Sequence, residues 1–433
     1  MKVLFIENRY KTFLYEAIAI ELEKEGHDVF WLIQNKDYQP KSDRKYIIPY
    51  PKKTTKKYDK IKEVEEVILI DRQQNFFKKE NKSYFYQYYF KIKEKLNELK
   101  PDIVFGESTA FHELLTINLC KKNETLYLNP SSCRYPIGRF SFYKYDTLEP
   151  YLGSLEVMQQ NKANEIINQI MFRTTTPDYM KKIKKQNGFK DKLTKIKSYI
   201  AGERYNTPNP IVKYFIEKEK EKTIQEWDAK IKQKIKKKAV FKILYPLQMQ
   251  PEANIDVWGK KYRNQSKLIE DLLEHLPKNT DLYVKPNPKS KYELSNELIS
   301  IVERNKNIIS LHHSSKMDDV LPEMDLVVTV TGTIAIECIL INKPVITLVK
   351  TINNQSENCV FIPDIKKITN IVEVIKSNTF YKNTLEEKVN FINLLNKTSY
   401  KGIVTDPFTD SSCLNKDNIK NMIIAFNSIL INE

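Results

Sequence analysis

The chain has 433 residues, 41% of them hydrophobic and 29% charged, with a net charge of +16. That is enough apolar material for a sizeable buried core spread over two or three domains, yet no apolar run approaches the roughly 20 residues a spanning helix needs. Five scattered cysteines without CxxC spacing argue against a disulfide scaffold and a structural zinc site, and nine glycines, none of which lies close to another, exclude a Walker A loop and the GxGxxG fingerprint.

In chain order, a strand pattern at 3–6 begins almost at the first residue and leaves no room for a signal peptide. With unpaired cysteines, this points to a soluble cytoplasmic protein. An amphipathic helix at 13–25, closed by Gly26, leads to a strand at 29–33. Then come an aromatic and lysine-rich helix at 84–99, a strand Ile103–Phe105, a helix at 112–120 and a strand at 125–128. Strands alternating with helices imply a parallel sheet covered on both faces.

Residues 151–239 break this rhythm with charged helical stretches, including Ile224, Trp227, Ile231 and Ile235 at helical spacing. Lysine runs such as Lys181-Lys182-Ile183-Lys184-Lys185 and 230–238 supply much of the positive charge. They are either solvated faces or contacts for an anionic membrane surface or glycan, and no nucleic-acid recognition motif accompanies them. The strand rhythm resumes at 240–245, 282–284, Ile308–Ser310, 326–330 and 345–348, and a last helix spans 416–431.

The stretch DLVVTVTGTIAIECILINKPVITL, 325–348, reads as a βαβ unit with the small polar turn Thr331-Gly332-Thr333 between strand and helix. Helix-start N–H groups and threonine hydroxyls at such a turn fit an anionic ligand, a nucleotide phosphate first. The alternative is that Thr333 merely caps a crossover helix. Two further loops leave strands directly. Gln248-Met249-Gln250-Pro251-Glu252 offers two amides and a carboxylate stiffened by proline, suited to a base or sugar edge, or else forms a plain exposed turn. Lys285-Pro286-Asn287-Pro288 aims Lys285 at a phosphate and Asn287 at a sugar or phosphate oxygen. In the first half, Gly106-Glu107-Ser108 also follows a strand, so polar residues collect where two parallel sheets would border a cleft.

The segments YPLQMQPE, LYVKPNP and VVTVTGTIAIECILINKPVITL, in this order and at these separations, resemble the carboxy-terminal half of the capsule polysaccharide biosynthesis glycosyltransferases, a family that includes bacterial β-Kdo transferases. The resemblance covers 240–350 well and the amino-terminal part in outline. It implies an α/β fold of GT-B type, two Rossmann-like parallel-sheet domains facing across a cleft. The acceptor-side domain would be 1–150, helical elaboration 151–239, the nucleotide-sugar domain 240–410, and a carboxy-terminal helix at 411–433 would return to the first domain. It further implies transfer of Kdo or a related ulosonic acid from a CMP-sugar to a glycan or glycolipid at the cytoplasmic membrane face, with no tightly bound cofactor. Gln248, Gln250, Lys285, Pro288, Thr331, Gly332, Thr333 and Glu337 would line or support the donor site, with Glu252 orienting the donor. The family's usual His-Pro pair is Asn287-Pro288 here. Asparagine is neither a cation nor a proton source, which leaves a UDP-type donor open beside the CMP-sugar.

Glycosyl transfer needs a stabilised leaving phosphate and a base for the acceptor hydroxyl, or a carboxylate nucleophile. Lys285 and the threonine turn can meet the leaving charge without a metal. Glu107 is the favoured carboxylate because Gly106 lets the backbone turn at the strand end, although it equally reads as a first-turn carboxylate favourable to the helix dipole. Asp146 is the second candidate. His112 and the pair His312-His313 read as packing or surface residues without a carboxylate partner. Arg134, Arg139 and Lys144, interleaved with Tyr135, Phe140, Phe142, Tyr143 and Tyr145, read as a loop that either binds an anionic saccharide acceptor or packs as a lid. Two other functional readings stand beside transfer: a UDP-sugar epimerase of the same shape, and a basic scaffold that keeps the shell without catalysis.

Overall fold

A computed structural model describes residues 1–52, 57–174, 188–231, 240–290 and 292–433. The run Lys181-Lys182-Ile183-Lys184-Lys185, nearly all of the run at 230–238 and Ile235 of the expected helical stripe lie outside the described residues.

The strands are β1 (Lys2–Ile6), β2 (Asp28–Ile33), β3 (Lys45–Ile47), β4 (Ile103–Phe105), β5 (Leu126–Ser132), β6 (Arg139–Lys144), β7 (Phe241–Pro246), β8 (Thr280–Lys285), β9 (Ile308–Ser310), β10 (Leu326–Thr329), β11 (Val345–Thr347), β12 (Cys359–Phe361) and β13 (Tyr400–Lys401). They form two sheets, ordered β13-β6-β5-β4-β1-β2-β3 and β12-β11-β10-β7-β8-β9. Pairing is parallel throughout the second sheet and from β5 across to β3 in the first; β6 runs antiparallel to both β5 and β13. The α/β class with two parallel-dominated sheets is therefore as the strand and helix rhythm implied.

The chain divides into two compact units. One gathers Met1–Gln159, the described residues of 175–213 and Ile392–Glu433; the other holds Gln160–Thr174 and Tyr214–Phe391. The described residues of 151–239 are thus shared between the two units instead of standing apart, and the return to the first unit starts at Ile392 rather than at 411.

In the first unit, a parallel strand needs apolar side chains on both faces, and β1 is buried from Val3 to Ile6. Phe5 stacks on Trp31 and Phe105 at centroid separations of 5.1 and 5.5 Å. The helix Thr12–Lys24 and the last helix, Lys416–Asn432, close over this layer through Leu14, Ile18, Leu22, Met422, Phe426 and Ile429. Asn418 fixes the start of that last helix by bonding both the N–H and the carbonyl of Ile403, at 2.7 and 3.1 Å.

The segment after β5 is not the cationic loop expected. Arg139 to Lys144 pairs with β5 because its side chains alternate, and Phe140 and Phe142 enter the core. Arg139 is 6% exposed. Its guanidinium donates to the carbonyls of Asn396 and Ser399, to the hydroxyls of Ser154 and Ser399, and to Glu156 at 2.9 Å. Those donors are consumed inside the fold, so Arg139, Phe140 and Phe142 are not an acceptor-binding surface.

The second unit packs Ile243, Tyr245, Leu282, Val284, Leu326 and Val328 of its central strands against helices that contribute Leu268, Ile269, Leu272 and Leu298. Trp227 is buried among them, its indole N–H donating to the Leu311 carbonyl at 2.9 Å. No described helix is long and apolar enough to cross a membrane.

Candidate functional site

The strands β10, β7 and β8 are neighbours in the second sheet, so the loops leaving their carboxyl ends emerge side by side. Open parallel sheets bind ligands at this edge. The loops are physically coupled. The Leu247 N–H donates to the Lys285 carbonyl at 2.9 Å, and the Gln248 side-chain amide donates to the Thr329 hydroxyl at 3.2 Å. That hydroxyl also accepts the Gly332 N–H at 3.1 Å. A Cβ on Gly332 would lie 2.4 Å from the Thr329 hydroxyl and 3.3 Å from the Gln248 amide, so glycine is required here for close approach rather than for turn conformation.

Lys285 is the outstanding charge at this edge. It ends β8, is 3% exposed, and has the Pro286 carbonyl at 3.1 Å as its bonded partner, with no ion pair among the described residues. Burial pushes its ammonium down to about 8. A buried cation with no counter-charge among the described residues is expensive in the ligand-free protein, and an incoming anion would relieve it.

Around Lys285 the expected residues divide into those left available and those already committed. The Thr331 hydroxyl donates to the Asn254 carbonyl at 3.0 Å, whereas Thr333 makes no capping bond with its side chain. The plain-cap alternative for Thr333 is therefore not what this turn does. The helix after it, Ile334–Leu340, has seven residues, too short for its dipole to be the main attraction for a ligand. Gln250 is 7% exposed, and its amide donates to Asp256 and to the Arg263 carbonyl, both at 2.9 Å, while its oxygen accepts from Gln265 at 3.0 Å. With its side-chain groups bonded internally, Gln250 shapes the loop rather than reading a base, a correction to the sequence expectation. Glu252 stands just before the short helix Ala253–Asp256 and accepts from the Asn254 amide at 3.3 Å. Asn287 accepts the Lys289 N–H at 2.9 Å in a tight local turn, and Pro288 is exposed. Glu337 pairs with Arg173 at 2.6 Å, and Arg173 also pairs with Asp318. Burial raises the Glu337 carboxyl while Arg173 opposes that rise, so Glu337 anchors its helix rather than facing a donor.

Sequence reading missed Gln265, Asp256, Arg263, Thr329 and Arg173. Gln265 ties Tyr245, Gln248 and Gln250 together with bonds of 2.8–3.0 Å. Thr329, a lone hydroxyl ending an apolar strand, was the one visible signal among them.

In the first unit, Glu107 follows β4, is largely buried and is ion-paired with Lys11. The helix after it starts at Phe111, so its first-turn carboxylate is Glu113, not Glu107. Glu113 is fully buried, accepts from the Ala110 N–H at 2.7 Å and the Asn8 amide at 2.8 Å, and is lifted to about 7, first by burial and then by Glu107. Gly106 is required because a Cβ there would lie 2.3 Å from the Tyr127 hydroxyl. Asp146 lies elsewhere. It follows β6, whose end pairs with Leu128, and binds Lys121 in the last turn of the helix Phe111–Lys122, toward the amino ends of the parallel strands. The structure does not bring Asp146 to Glu107. His112 is 2% exposed and bonded to the Glu7 carbonyl at 2.8 Å and the Asn206 amide at 3.1 Å, a packed core histidine as read from sequence.

The pair His312-His313 does have a carboxylate partner, contrary to expectation. Asp228 contacts the imidazoles of both and accepts the backbone N–H of His313 at 3.0 Å. These three side chains have the chemistry of a metal-ligand set.

The fold and this edge define a class, an α/β protein of two parallel-sheet units whose ligand loops crown β10, β7 and β8. More particularly, residues 146–355 match the family described as capsule polysaccharide biosynthesis protein, which bears out the recognition made from the loop segments. Among solved structures, the chain is similar to a Thermosulfurimonas dismutans KpsC, a β-Kdo 2,7 transferase, at 9% identity over 98% of this chain and 100% of that one, with a TM-score of 0.39. It is also similar to the UDP-GlcNAc 2-epimerase of Methanocaldococcus jannaschii, at 13% identity over 99% and 100% with a TM-score of 0.25. A third is MurG of Acinetobacter baumannii, at 9% identity over 91% and 94% with a TM-score of 0.26. No curated protein matches the chain.

Proposed function

We propose that this protein is a GT-B glycosyltransferase of bacterial capsule or surface polysaccharide synthesis, moving a sugar from a nucleotide donor to a glycan or glycolipid acceptor. The observation that carries the reading is Lys285, a buried ammonium with no counter-charge among the described residues, at the carboxyl edge of a parallel sheet. The family match over 146–355 supports the same reading. In it, Lys285 meets the leaving phosphate, assisted by Thr333 and the close-packed Gly332 turn, with Gln248 beside them. The bond from the sugar's anomeric carbon to the phosphate oxygen breaks, and the bond to the acceptor oxygen forms. The acceptor proton passes to a carboxylate, for which Glu107 is our candidate, and the nucleotide departs with the phosphate.

We favour a CMP-linked ulosonic acid such as Kdo as donor, from the resemblance of the loop segments. Asn287 supports keeping a UDP-sugar as the second donor, because an amide capping the Lys289 N–H cannot protonate a leaving phosphate. Titration calorimetry with CMP and UDP, on the wild type and on Lys285→Met, tests binding and ranks the nucleotides. Release of nucleotide from CMP- and UDP-sugars is then followed with membrane glycolipid acceptors. Binding weakened roughly 10–100-fold in Lys285→Met is expected, and wild-type affinity in that variant overturns the placement of the phosphate. Turnover without any acceptor would instead indicate an epimerase.

A further inference from the structure

The helix Gly188–Ile200 of the first unit is amphipathic with its faces reversed. The side facing the protein is polar. Ser198 is 1% exposed and bonds the Asp37 carboxylate, and half-buried Asp191 pairs with Lys195 at 2.6 Å. The outward side is apolar: Phe189 is 76% exposed, Leu193 49%, Ile196 42% and Ile200 74%. At about 100° per residue these four side chains fall within a stripe roughly 60° wide, opposite Ser198. Lys192 lies on one flank, and Lys190 and Lys197 lie on the other, all exposed. The helix carries four lysines against one aspartate.

A soluble helix normally buries its apolar stripe, so four large side chains aligned outward need an apolar partner. Lysines bordering the stripe on both sides select one that is negatively charged at its surface and apolar beneath. That is the make-up of an anionic phospholipid bilayer, into which such a helix lies flat with its lysines at headgroup level. We propose that the helix Gly188–Ile200 is a membrane-docking element that seats the first unit on anionic lipid. The Ser198–Asp37 bond ties the helix to the first unit in that orientation before any membrane is met. This inference is independent of the donor and of catalysis.

Co-sedimentation of the full chain with phosphatidylcholine vesicles, with and without phosphatidylglycerol, tests it. Binding is expected only with phosphatidylglycerol and should weaken several-fold between low and physiological salt. The exposed-site variant Leu193→Gln/Ile196→Gln should bind about tenfold or more weakly, with unchanged circular dichroism and unchanged nucleotide affinity. An environment-sensitive dye on a Leu193→Cys variant should shift to the blue on vesicle addition, since the native cysteines are buried or half-buried. Equal binding to neutral vesicles, an unaffected double variant or an unshifted dye would each overturn the proposal. So would concentration-dependent self-association that the double variant abolishes, since the stripe would then belong to a second copy of the chain.

Discussion

At the scale of single residues, Lys285 sets function against stability. Its ammonium, lowered to about 8 by burial, is already charged and poorly solvated at neutral pH. Replacing it with methionine keeps the length and removes the charge. Lys285→Met should therefore stabilise the ligand-free protein by about 1–3 kcal/mol in urea denaturation, while lowering nucleotide affinity roughly 10–100-fold in calorimetry. The pH dependence has a definite sign. Between pH 8 and the ordinary lysine range the unfolded chain holds the proton and the folded one releases it, so wild-type stability should rise with pH across that window. Nucleotide affinity should do the opposite, flat below about pH 8 and falling above it as the cation is lost, with Lys285→Met showing neither trend.

At the scale of elements, what matters is how three loops become one surface. Gln265 is not among the expected donor-site residues, yet its side chain bonds Tyr245, Gln248 and Gln250 together. Gln265→Ala would leave buried donors and acceptors unpaired. We expect a loss of about 2–3 kcal/mol of stability and a several-fold weaker nucleotide complex, measured by urea denaturation and calorimetry. The last helix is a second case. Phe426 sits 4.6 Å from Phe105 and 5.0 Å from Phe142, centroid to centroid, over the sheet that carries Glu107. Phe426→Ala should cost about 3–5 kcal/mol, read by thermal or urea unfolding. The strands Ile103–Phe105 and Ile308–Ser310 were legible to the residue because short β-branched and aromatic runs between polar turns carry their own signal. Arg139 to Lys144 was misread because a cation between aromatics looks the same in a strand as in a binding loop. Among the groups that claim Arg139, Asn396 and Ser399 lie more than 250 positions away.

At the scale of the whole molecule, the first unit is assembled from both ends of the chain, and the strands with the candidate donor loops lie between them in sequence. A chain ending at residue 391 lacks β13 and the helix that covers Phe5, Phe105 and Phe142. Hydrogen exchange on that truncated chain should show protection lost in β1, β4 and β5 and retained in β7, β8 and β10. Equal loss in both sets would contradict the division. In the intact protein, nucleotide at 100 times its dissociation constant should stabilise the second unit by about 2.7 kcal/mol, with the added protection centred on the ends of β7, β8 and β10.

From the sequence alone came the alternation of strand and helix, the polar segments that follow strands, and the family resemblance carried by the loops after β7, β8 and β10. These are legible because periodicity and turn chemistry depend on neighbours within a few residues. Only the tertiary structure decided which polar groups are spent. Gln250 is consumed by Asp256, Arg263 and Gln265, Glu337 by Arg173, and His312 and His313 lean on Asp228, whereas Lys285 is left buried with no counter-charge among the described residues. The physical reason is that a hydrogen bond or ion pair is closed by whatever group the fold brings within about 3 Å, and sequence separation places no limit on where that group comes from.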